Sequence, residues 1–499
     1  MSSNMPKMCL SLMPENKAQL TKGLKECLEA DLVEIRLDLM PDLELESWVR
    51  KCKKPMIATL RSKNEGGHWN GTAKNRLEIL QAAADAEVAY IDVEFQHAKT
   101  LLKQLKRTEK TRIVLSRHTE ERNPEELRKM MFEMQQVPAD VYKLIFSAQS
   151  LHDSRNALTL IEEAKAKGLT FVIHAMEVPG QVSRILGALA GNAWTYVSRE
   201  EAEETAGGQL SLHDARHYFN LHQKKVGETR ILGLVGDPLH QSKGWRIHNR
   251  LFQAVQQQQP GALKEEYLYC NFPTGNPEEF WKDWSGQLHG LSITIPHKES
   301  MLRFADEQAP EVRISGVCNT LVRTANGWRA HNTDLLAIEG LLRPIRESIR
   351  NGGMVIGTGA TARSAIAALK RLEVTPIFVV GRNEERGRIL SSLFGVDFLH
   401  EDEVHYARAM VVIQTTPVGM VPRIEEYPVG TSMFRKGRVV MDVVYNPAET
   451  RFLKIARGRQ CEIINGVEMF LNQAARQFEL FTGVTLQGDL VRQVWEEVG

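Results

Sequence analysis

The sequence predicts an α/β protein: an N-terminal (β/α)8 barrel, then a smaller α/β unit, then a Rossmann-like dinucleotide-binding unit. Three observations carry that prediction. Short strand-like runs alternate with helix-compatible stretches eight times over roughly 220 residues. Later, NGGMVIGTGATARSAIAALKRL (351–372) reads as a strand, a tight glycine turn and an amphipathic helix. The length, 499 residues, gives room for two to four domains that each bury a core.

The eight runs are MCLSLM (8–13), LVEIRLDL (32–39), MIATLR (56–61), AYIDVEF (89–95), TRIVLS (111–116), DVYKLIF (140–146), LTFVIHA (169–175) and AWTYVS (193–198). Between them lie helical stretches such as NRLEILQAAADAEV and HDSRNALTLIEEAKAKG. An open doubly wound sheet is the alternative, and the count of eight favours the barrel. The barrel takes residues 1–222, and KKVGETRIL (224–232) is a polar connection. A compact α/β unit occupies 228–335 and is completed by 467–499, which begins with a helical segment. The nucleotide-binding unit fills 336–466.

Bulk properties exclude several classes. A net charge of +1 with 25% charged residues offers no basic stripe, so neither nucleic acid nor a membrane surface is favoured as a partner. Six cysteines stand far apart without CxxC or Cys/His spacing, so no metal site is expected and a reducing cytoplasm suits them. No apolar run approaches the roughly 18 residues of a membrane span. The start, MSSNMPKMCLSLM, lacks the basic-then-apolar order of a secretory signal. A cytoplasmic protein acting on small molecules is expected, and nothing in the pattern fixes an oligomeric state.

Strand alternation locates the first candidate site. In VEIRLD, Glu34, Arg36 and Asp38 share one face and Val33, Ile35 and Leu37 the other. In a barrel wrapped by helices the apolar face meets the helices, so the charges point inward, where they need partners. An exposed edge strand would need an antiparallel sheet. Lys143 in DVYKLIF follows the same logic. An ammonium among apolar neighbours, with Arg184 or Arg61 nearby, should lose its proton more readily and become a usable amine nucleophile. Such an amine forms a Schiff base with a ketone and acidifies the adjacent carbon. His118, at the carboxyl end of the fifth run, is placed to take that proton. A strand lysine or a loop histidine alone would be ordinary; the joint pattern is what points to catalysis.

These segments resemble the type I 3-dehydroquinate dehydratases, through CLSLM, VEIRLDL, TLRSKNEGG, IDVEF, LSRHT, YKLIF, VSRILG and GGQLSL, over nearly all of residues 5–222. The resemblance implies that Lys143 forms the imine, that His118 is general base and later acid, and that Glu65 orients His118. It implies that Glu34, Arg36, Arg61, Arg184 and Gln209 hold the substrate, with Ser11 nearby and Thr205 at a position where the family has serine. HAMEVPGQVSR (174–184) is looser than the usual methionine–glycine phrase.

The second candidate site gathers SITIPHK (292–298), GVCNT (316–320), HNTD (331–334) and VIGTGATAR (355–363). Gly357 and Gly359 let backbone approach a pyrophosphate at a helix N-terminus, a weak signal alone. The next strand ends in Gly381-Arg382 with Arg386 beyond, where a NAD-preferring fold carries an acid. A guanidinium there pairs with a 2′-phosphate, which favours NADP over NAD; a surface arginine pair is the bland alternative. Lys298 and Asp334 could share the proton that a developing alkoxide needs, with Asn319 and Thr294 on ring hydroxyls. In isolation, Lys298 would be an ordinary helix-start lysine and Asp334 an N-cap residue.

Together these phrases resemble the shikimate dehydrogenases over residues 230–499, helped by GLVGDPLHQSK, VVGRNEER, TTPVGM, MDVVYNPAETRFL and INGVEMFLNQAARQFELFTG. The resemblance makes Lys298 and Asp334 the catalytic pair. It assigns Ser242, Thr294, Asn319, Tyr445 and Gln473 to substrate. It assigns Gly357, Thr358, Gly359, Ala360, Thr361, Arg382, Arg386, Val443 and Gly466 to the cofactor. In HQSKGW, Gly244 replaces a usual second serine, and Ser292 stands where asparagine is common. The combined expectation is dehydration of 3-dehydroquinate to 3-dehydroshikimate, then NADPH-dependent reduction to shikimate. The alternatives are a chain with one active half, a dehydrogenase turned to quinate and NAD, or a non-catalytic sensor of the quinate pathway. The reactive groups Lys143, His118, Glu65, Lys298 and Asp334 argue against the sensor.

Overall fold

The computed structural model describes residues 5–200, 205–240 and 242–498, apart from the side chain of Tyr406. Contacts divide the chain into two compact units: one through Ile231 with Glu265–Gln287, the other Leu232–Lys264 with Leu288 onward.

The first unit is built on β1 (Met8–Leu12), β2 (Leu32–Arg36), β3 (Met56–Thr59), β4 (Tyr90–Glu94), β5 (Arg112–Thr119), β6 (Val141–Ser147), β7 (Phe171–Met176), β8 (Thr195–Ser198) and the short β9 (Leu210–Ser211). Each of the eight expected runs is a strand. They form one curled parallel sheet in the order β7-β6-β5-β4-β3-β2-β1-β8-β9. Helices intervene because the sequence supplies their stops and starts. Asn123 caps Pro124–Gln135, where proline sits in the first turn, and Ser150 and Asp153 make a capping box on Leu151–Ala166.

The two ends of the sheet meet. Ala193 N–H donates to Phe171 O at 2.8 Å. The Asn192 amide completes the seam, accepting from Ile173 N and donating to Ile173 O, both at 2.9 Å. A single buried cluster takes a residue from each of β1 to β8 or its immediate start: Cys9, Leu32, Ile57, Tyr90, Val114, Val141, Val172 and Trp194, with Tyr196 packed on it from the layer above. That layer is the floor of a barrel, and burying each aliphatic member stabilises by about 1.5–3 kcal/mol. Side chains alternate with period two, so the layer above the floor must be Ser11, Glu34, Thr59, Asp92, Ser116, Lys143, His174 and Tyr196. All eight are buried. The layer above that includes Arg36, Arg61, Glu94 and His118. The barrel is therefore apolar at one end and charged at the carboxyl end.

The second half carries two sheets. One has six strands, β10 (Thr229–Gly236), β11 (Glu266–Pro273), β12 (Leu288–Ile293), β13 (Glu307–Gln308), β14 (Thr320–Thr324) and β15 (Gly327–His331), ordered β11-β10-β12-β14-β15-β13. The other comprises β16 (Gly353–Ile356), β17 (Ile377–Gly381), β18 (Asp397–His400), β19 (Val411–Gln414), β20 (Val439–Asp442) and β21 (Glu462–Ile464). Its order is β18-β17-β16-β19-β20-β21, with parallel pairings throughout. This is the doubly wound 3-2-1-4-5-6 order, whose switch point lies between β16 and β19. No helix among the described residues is long and apolar enough to cross a membrane.

Candidate active sites

The carboxyl end of the barrel opens on a cavity of about 310 Å³ lined by Ser11, Glu34, Arg36, Arg61, Glu65, His118, Lys143, Arg184, Thr205 and Gln209, among others. These ten are all the residues assigned to this half from the sequence. Their partners define what each can do.

Lys143 differs from the sequence expectation. Instead of apolar neighbours it has two carboxylates, Asp92 Oδ2 at 3.3 Å and Glu34 Oε1 at 3.4 Å from Nζ. Two inward charges of β2 and β4, in the same layer as Lys143, converge on its nitrogen, which no local reading of DVYKLIF foresees. Burial alone would push both carboxyls up, but at Glu34 Lys143, the Ser11 hydrogen bond and Arg36 together outweigh it, and at Asp92 Arg61, Lys143 and the Ser116 hydrogen bond do. Both carboxyls are held below their usual range.

Asp92 and Glu94 were not singled out from the sequence, although the alternation that exposed Glu34 and Arg36 applies equally to YIDVE. Asp92 also accepts from Arg61 Nη2 at 2.9 Å and from Ser116 Oγ at 2.5 Å. Glu94 accepts from Ser62 N at 2.8 Å and Ser62 Oγ at 2.9 Å, and it pairs with Arg76 at 3.1 Å. Glu94 thus pins the start of the Lys63–Glu65 turn and sets where Glu65 stands.

Glu65 Oε2 lies 2.9 Å from His118 Nδ1 and accepts from the His118 backbone at 3.2 Å. Burial pushes the Glu65 carboxyl up to about 7; Arg61 opposes the shift, and Glu94 and Asp92 add to it. Burial first, then Arg61 and Lys143, hold His118 well below the usual imidazole value. Histidine is thus neutral near pH 7, the form able to accept a proton.

Other predicted contacts are already engaged within the protein. Arg36 forms a fork on Asp38, with both contacts at 2.7 Å. Ser11 donates to Glu34 at 2.7 Å and accepts from Thr205 at 3.1 Å, while Gln209 Oε1 accepts from Thr205 N at 2.9 Å. Arg184 donates to Gly207 O at 3.3 Å, tying it to the same loop.

In the second half the backbone stitches the predicted phrases together. Ile293 N donates to Asn319 O at 2.7 Å, Cys318 N to Lys298 O at 2.9 Å, and Asn319 N to His331 O at 3.1 Å. Lys298 Nζ and Asp334 Oδ2 are consequently 2.6 Å apart. Asn319 Nδ2 donates to Asp334 Oδ1 at 2.9 Å and to Thr333 Oγ1 at 2.8 Å, and Thr333 reaches Gln473 Oε1 at 3.4 Å. Lys298 also lies 3.4 Å from Thr361 Oγ1, at the start of the nucleotide loop's helix. Thr294 donates its N–H to Val235 O at 3.0 Å.

Three further residues noted from the sequence have their contacts within the protein. Ser292 donates at 3.0 Å to Gln477 on the helix Gly466–Thr482. Gln477, missed from sequence, also donates to Thr320 Oγ1 at 3.0 Å, so it helps hold the Asn319 strand. Ser242 accepts from Gly244 N at 3.3 Å, closing a turn at the helix start. Tyr445 packs on Phe470 and Trp495, with ring centroids 4.9 and 6.0 Å away.

The loop after β16 is shaped for a pyrophosphate. Gly357 has φ +118°, and a Cβ there would sit 2.5 Å from Thr415 Oγ1. Gly359 stands at the N-terminus of the helix Ala360–Arg371, and a Cβ there would meet nothing within 4 Å. Backbone N–H groups at Ala360 and Thr361 can therefore face an anion. Thr358 packs against Gly381, the last residue of β17, so Arg382 and Arg386 flank the glycine turn and are exposed. Gly466 has no room for a side chain, since its Cβ would lie 2.2 Å from Val444 O. Val443 donates to Gln414 O at 3.0 Å, which fixes the strand end opposite the turn. These groups fit a dinucleotide carrying a 2′-phosphate.

A barrel with a buried lysine at its mouth, followed by a lysine–aspartate pair beside a dinucleotide loop, defines a lyase joined to an oxidoreductase. The type I 3-dehydroquinase family matches residues 8–226. The shikimate dehydrogenase substrate-binding domain matches 234–321, and the shikimate 5′-dehydrogenase C-terminal domain 466–494. A chloroplastic bifunctional 3-dehydroquinate dehydratase/shikimate dehydrogenase of Arabidopsis thaliana is 29% identical, over 94% of this chain and 80% of the relative. A shikimate dehydrogenase (NADP(+)) of Microcystis aeruginosa is 30% identical over 54% of this chain and 96% of its own. The solved dehydroquinate dehydratase and shikimate dehydrogenase region of a protein from S. pombe is 22% identical. It covers 100% of this chain and 98% of its own, with a TM-score of 0.42. The chain belongs to the bifunctional type I 3-dehydroquinate dehydratase/shikimate dehydrogenase family.

Proposed function

We infer that the chain catalyses two consecutive steps of the shikimate pathway: dehydration of 3-dehydroquinate and NADPH-dependent reduction of 3-dehydroshikimate to shikimate. In the division of labour we propose, residues 1–222 perform the first step, 228–335 with 467–499 hold the second substrate, and 336–466 hold NADP.

In the barrel, the Lys143 nitrogen adds to the substrate ketone, and the ketone oxygen leaves as water with two of the three protons of the ammonium, giving an iminium that keeps one N–H. His118 takes a proton from the adjacent carbon, and the resulting enamine expels the β-hydroxyl, to which His118 returns the proton so that it departs as water. Hydrolysis of the iminium then frees the product and the amine. Glu65 accepts from Nδ1–H and leaves the other ring nitrogen as the base. Arg184, Gln209 and Thr205 bind the carboxylate, while Glu34, Arg36, Arg61 and Ser11 hold hydroxyls or the residues that contact them. The observation that carries this reading is one cavity holding both Lys143 and the His118–Glu65 pair.

In the second half, bound NADPH supplies hydride. Lys298 and Asp334 hold a proton where the alkoxide oxygen develops, and Asn319, Thr294, Ser242, Tyr445 and Gln473 orient the ring. Gly357 to Thr361, Val443 and Gly466 shape the backbone around the cofactor, and Arg382 with Arg386 meet its 2′-phosphate.

Borohydride reduction in the presence of 3-dehydroquinate, followed by peptide mass mapping, tests the first assignment: the label is expected on Lys143, and a label elsewhere overturns it. Lys298→Ala should abolish NADPH oxidation and spare dehydration; retained oxidation would remove Lys298 from its role.

A further inference from the structure

Tyr196 belongs to the same inward layer as Lys143 and is 4% exposed. Lys143 Nζ sits over its ring, 4.3 Å from the centroid. The ring's orientation is fixed from two sides by edge-on contacts. Trp194 lies at a centroid distance of 6.3 Å and 80° between planes, and His174 at 6.3 Å and 78°. His174 is fully buried, and its two ring nitrogens make no hydrogen bond among the described residues. Burial, together with Arg184 and Lys143, keeps it uncharged. It serves here as an aromatic plate and not as a proton carrier.

The nitrogen of Lys143 therefore has the ring face on one side and the carboxylates of Asp92 and Glu34 on others, while the cavity side receives the ketone. We propose that Tyr196 is a further catalytic residue of the dehydration, its ring face stabilising the positive charge of the Schiff base formed on Lys143. This rests on the Lys143 assignment made above.

The number of N–H donors on the nitrogen distinguishes the two states. An ammonium has three N–H groups and satisfies both carboxylates through them. The iminium keeps one N–H, because two of the nitrogen's former hydrogens are replaced by the double bond to substrate carbon. Carboxylate contact is thereby reduced, yet the charge remains. A cation–π contact needs no N–H and survives the change. Removing the ring should thus cost the iminium more than the resting ammonium. A ring held from both edges keeps its face toward the nitrogen through the whole cycle.

The test uses the full-length chain with saturating 3-dehydroquinate, borohydride and quantitative mapping of modified Lys143. Tyr196→Leu should lower the trapped fraction about tenfold, between the effect of an exposed and of a fully desolvated cation–π contact. Tyr196→Phe, which keeps the ring and drops the hydroxyl, should restore trapping to within about threefold of the parent. Circular dichroism and the thermal transition of the dehydratase half report intact folding of the barrel itself. Should the leucine variant lose that too, Tyr196→Met, flexible and without a ring, takes its place with the same expectation. Trapping in the ringless variant equal to the parent, or a phenylalanine variant as deficient as leucine, would overturn the proposal. A label absent from Lys143 in the parent would instead overturn the assignment on which it rests.

Discussion

Asp442, the last residue of β20, is a buried carboxyl whose acidity sets a pH limit on the second half. It accepts from Val444 N at 3.0 Å and from Thr450 Oγ1 at 2.6 Å, and so shapes the turn that carries Tyr445. Burial pushes its carboxyl up to about 7, and those two hydrogen bonds oppose the shift only partly. The unfolded chain has the ordinary value near 3.8. A folded value above the unfolded one means that the native state binds the proton more tightly. The stabilisation is fully present below the unfolded value and is lost as pH rises through about 7. Between pH 5 and 8 the loss integrates to about 3 kcal/mol, or roughly 6–12 °C in melting temperature for a unit of this size. Asp442→Asn carries no titrating group. It should cost about 0.5–1.5 kcal/mol at pH 5 through a poorer bond to Thr450, yet flatten the pH dependence by the full 3 kcal/mol or about that amount. Calorimetry from pH 5 to 8 reads this directly, following the transition that NADP+ shifts upward by mass action. If parent and Asp442→Asn lose stability in parallel over that range, the buried-carboxyl argument is wrong.

The remaining expectations concern activity. Protonated Glu65 would donate to His118 Nδ1 and leave N–H on the other nitrogen, so kcat/KM for dehydration should fall about tenfold per pH unit once pH drops below the Glu65 value. That value is about 7. Glu65→Gln should abolish this acidic limb, and an unchanged limb would assign it elsewhere. Gly244→Ser should lower the KM for 3-dehydroshikimate by about 2- to 12-fold through one hydrogen bond. Its Cβ would lie 3.4 Å from Ser242 Oγ without a clash, and an unaltered KM would exclude that position from substrate binding. Replacing Arg382 and Arg386 by alanine should reduce the preference for NADPH over NADH by at least about tenfold; equal ratios before and after would remove them from the 2′-phosphate site.

All eight barrel strands were legible because a strand buried on both faces reads as a compact apolar run bounded by polar connections. The inward charges of VEIRLD were legible for a different reason, since alternation places them opposite the helix-facing Val33, Ile35 and Leu37. The same rule applied to YIDVE yields Asp92 and Glu94, whose side chains meet Lys143 and Arg61 across the barrel. What could not be read was which partner each charge would find. Glu34 and Lys143, four strands apart in the sheet, are joined by its curling into a cylinder, and Ser292 is bound by Gln477, which lies far along the chain. In the second half, glycines announced themselves through the turn after β16. The reason for Gly466, a carbonyl of Val444 pressed against its Cα, belongs to packing alone.

The join between β7 and the start of β8 rests on the Ala193 amide and on a side chain, Asn192, gripping both polar groups of Ile173. Elsewhere the wall is a continuous ladder; here it is buttoned rather than woven. A button comes undone in one motion, so the cylinder's first opening under denaturant should be along this line. Deuterium uptake at the Ile173 amide, ahead of its counterparts in β5 and β6, would register that event.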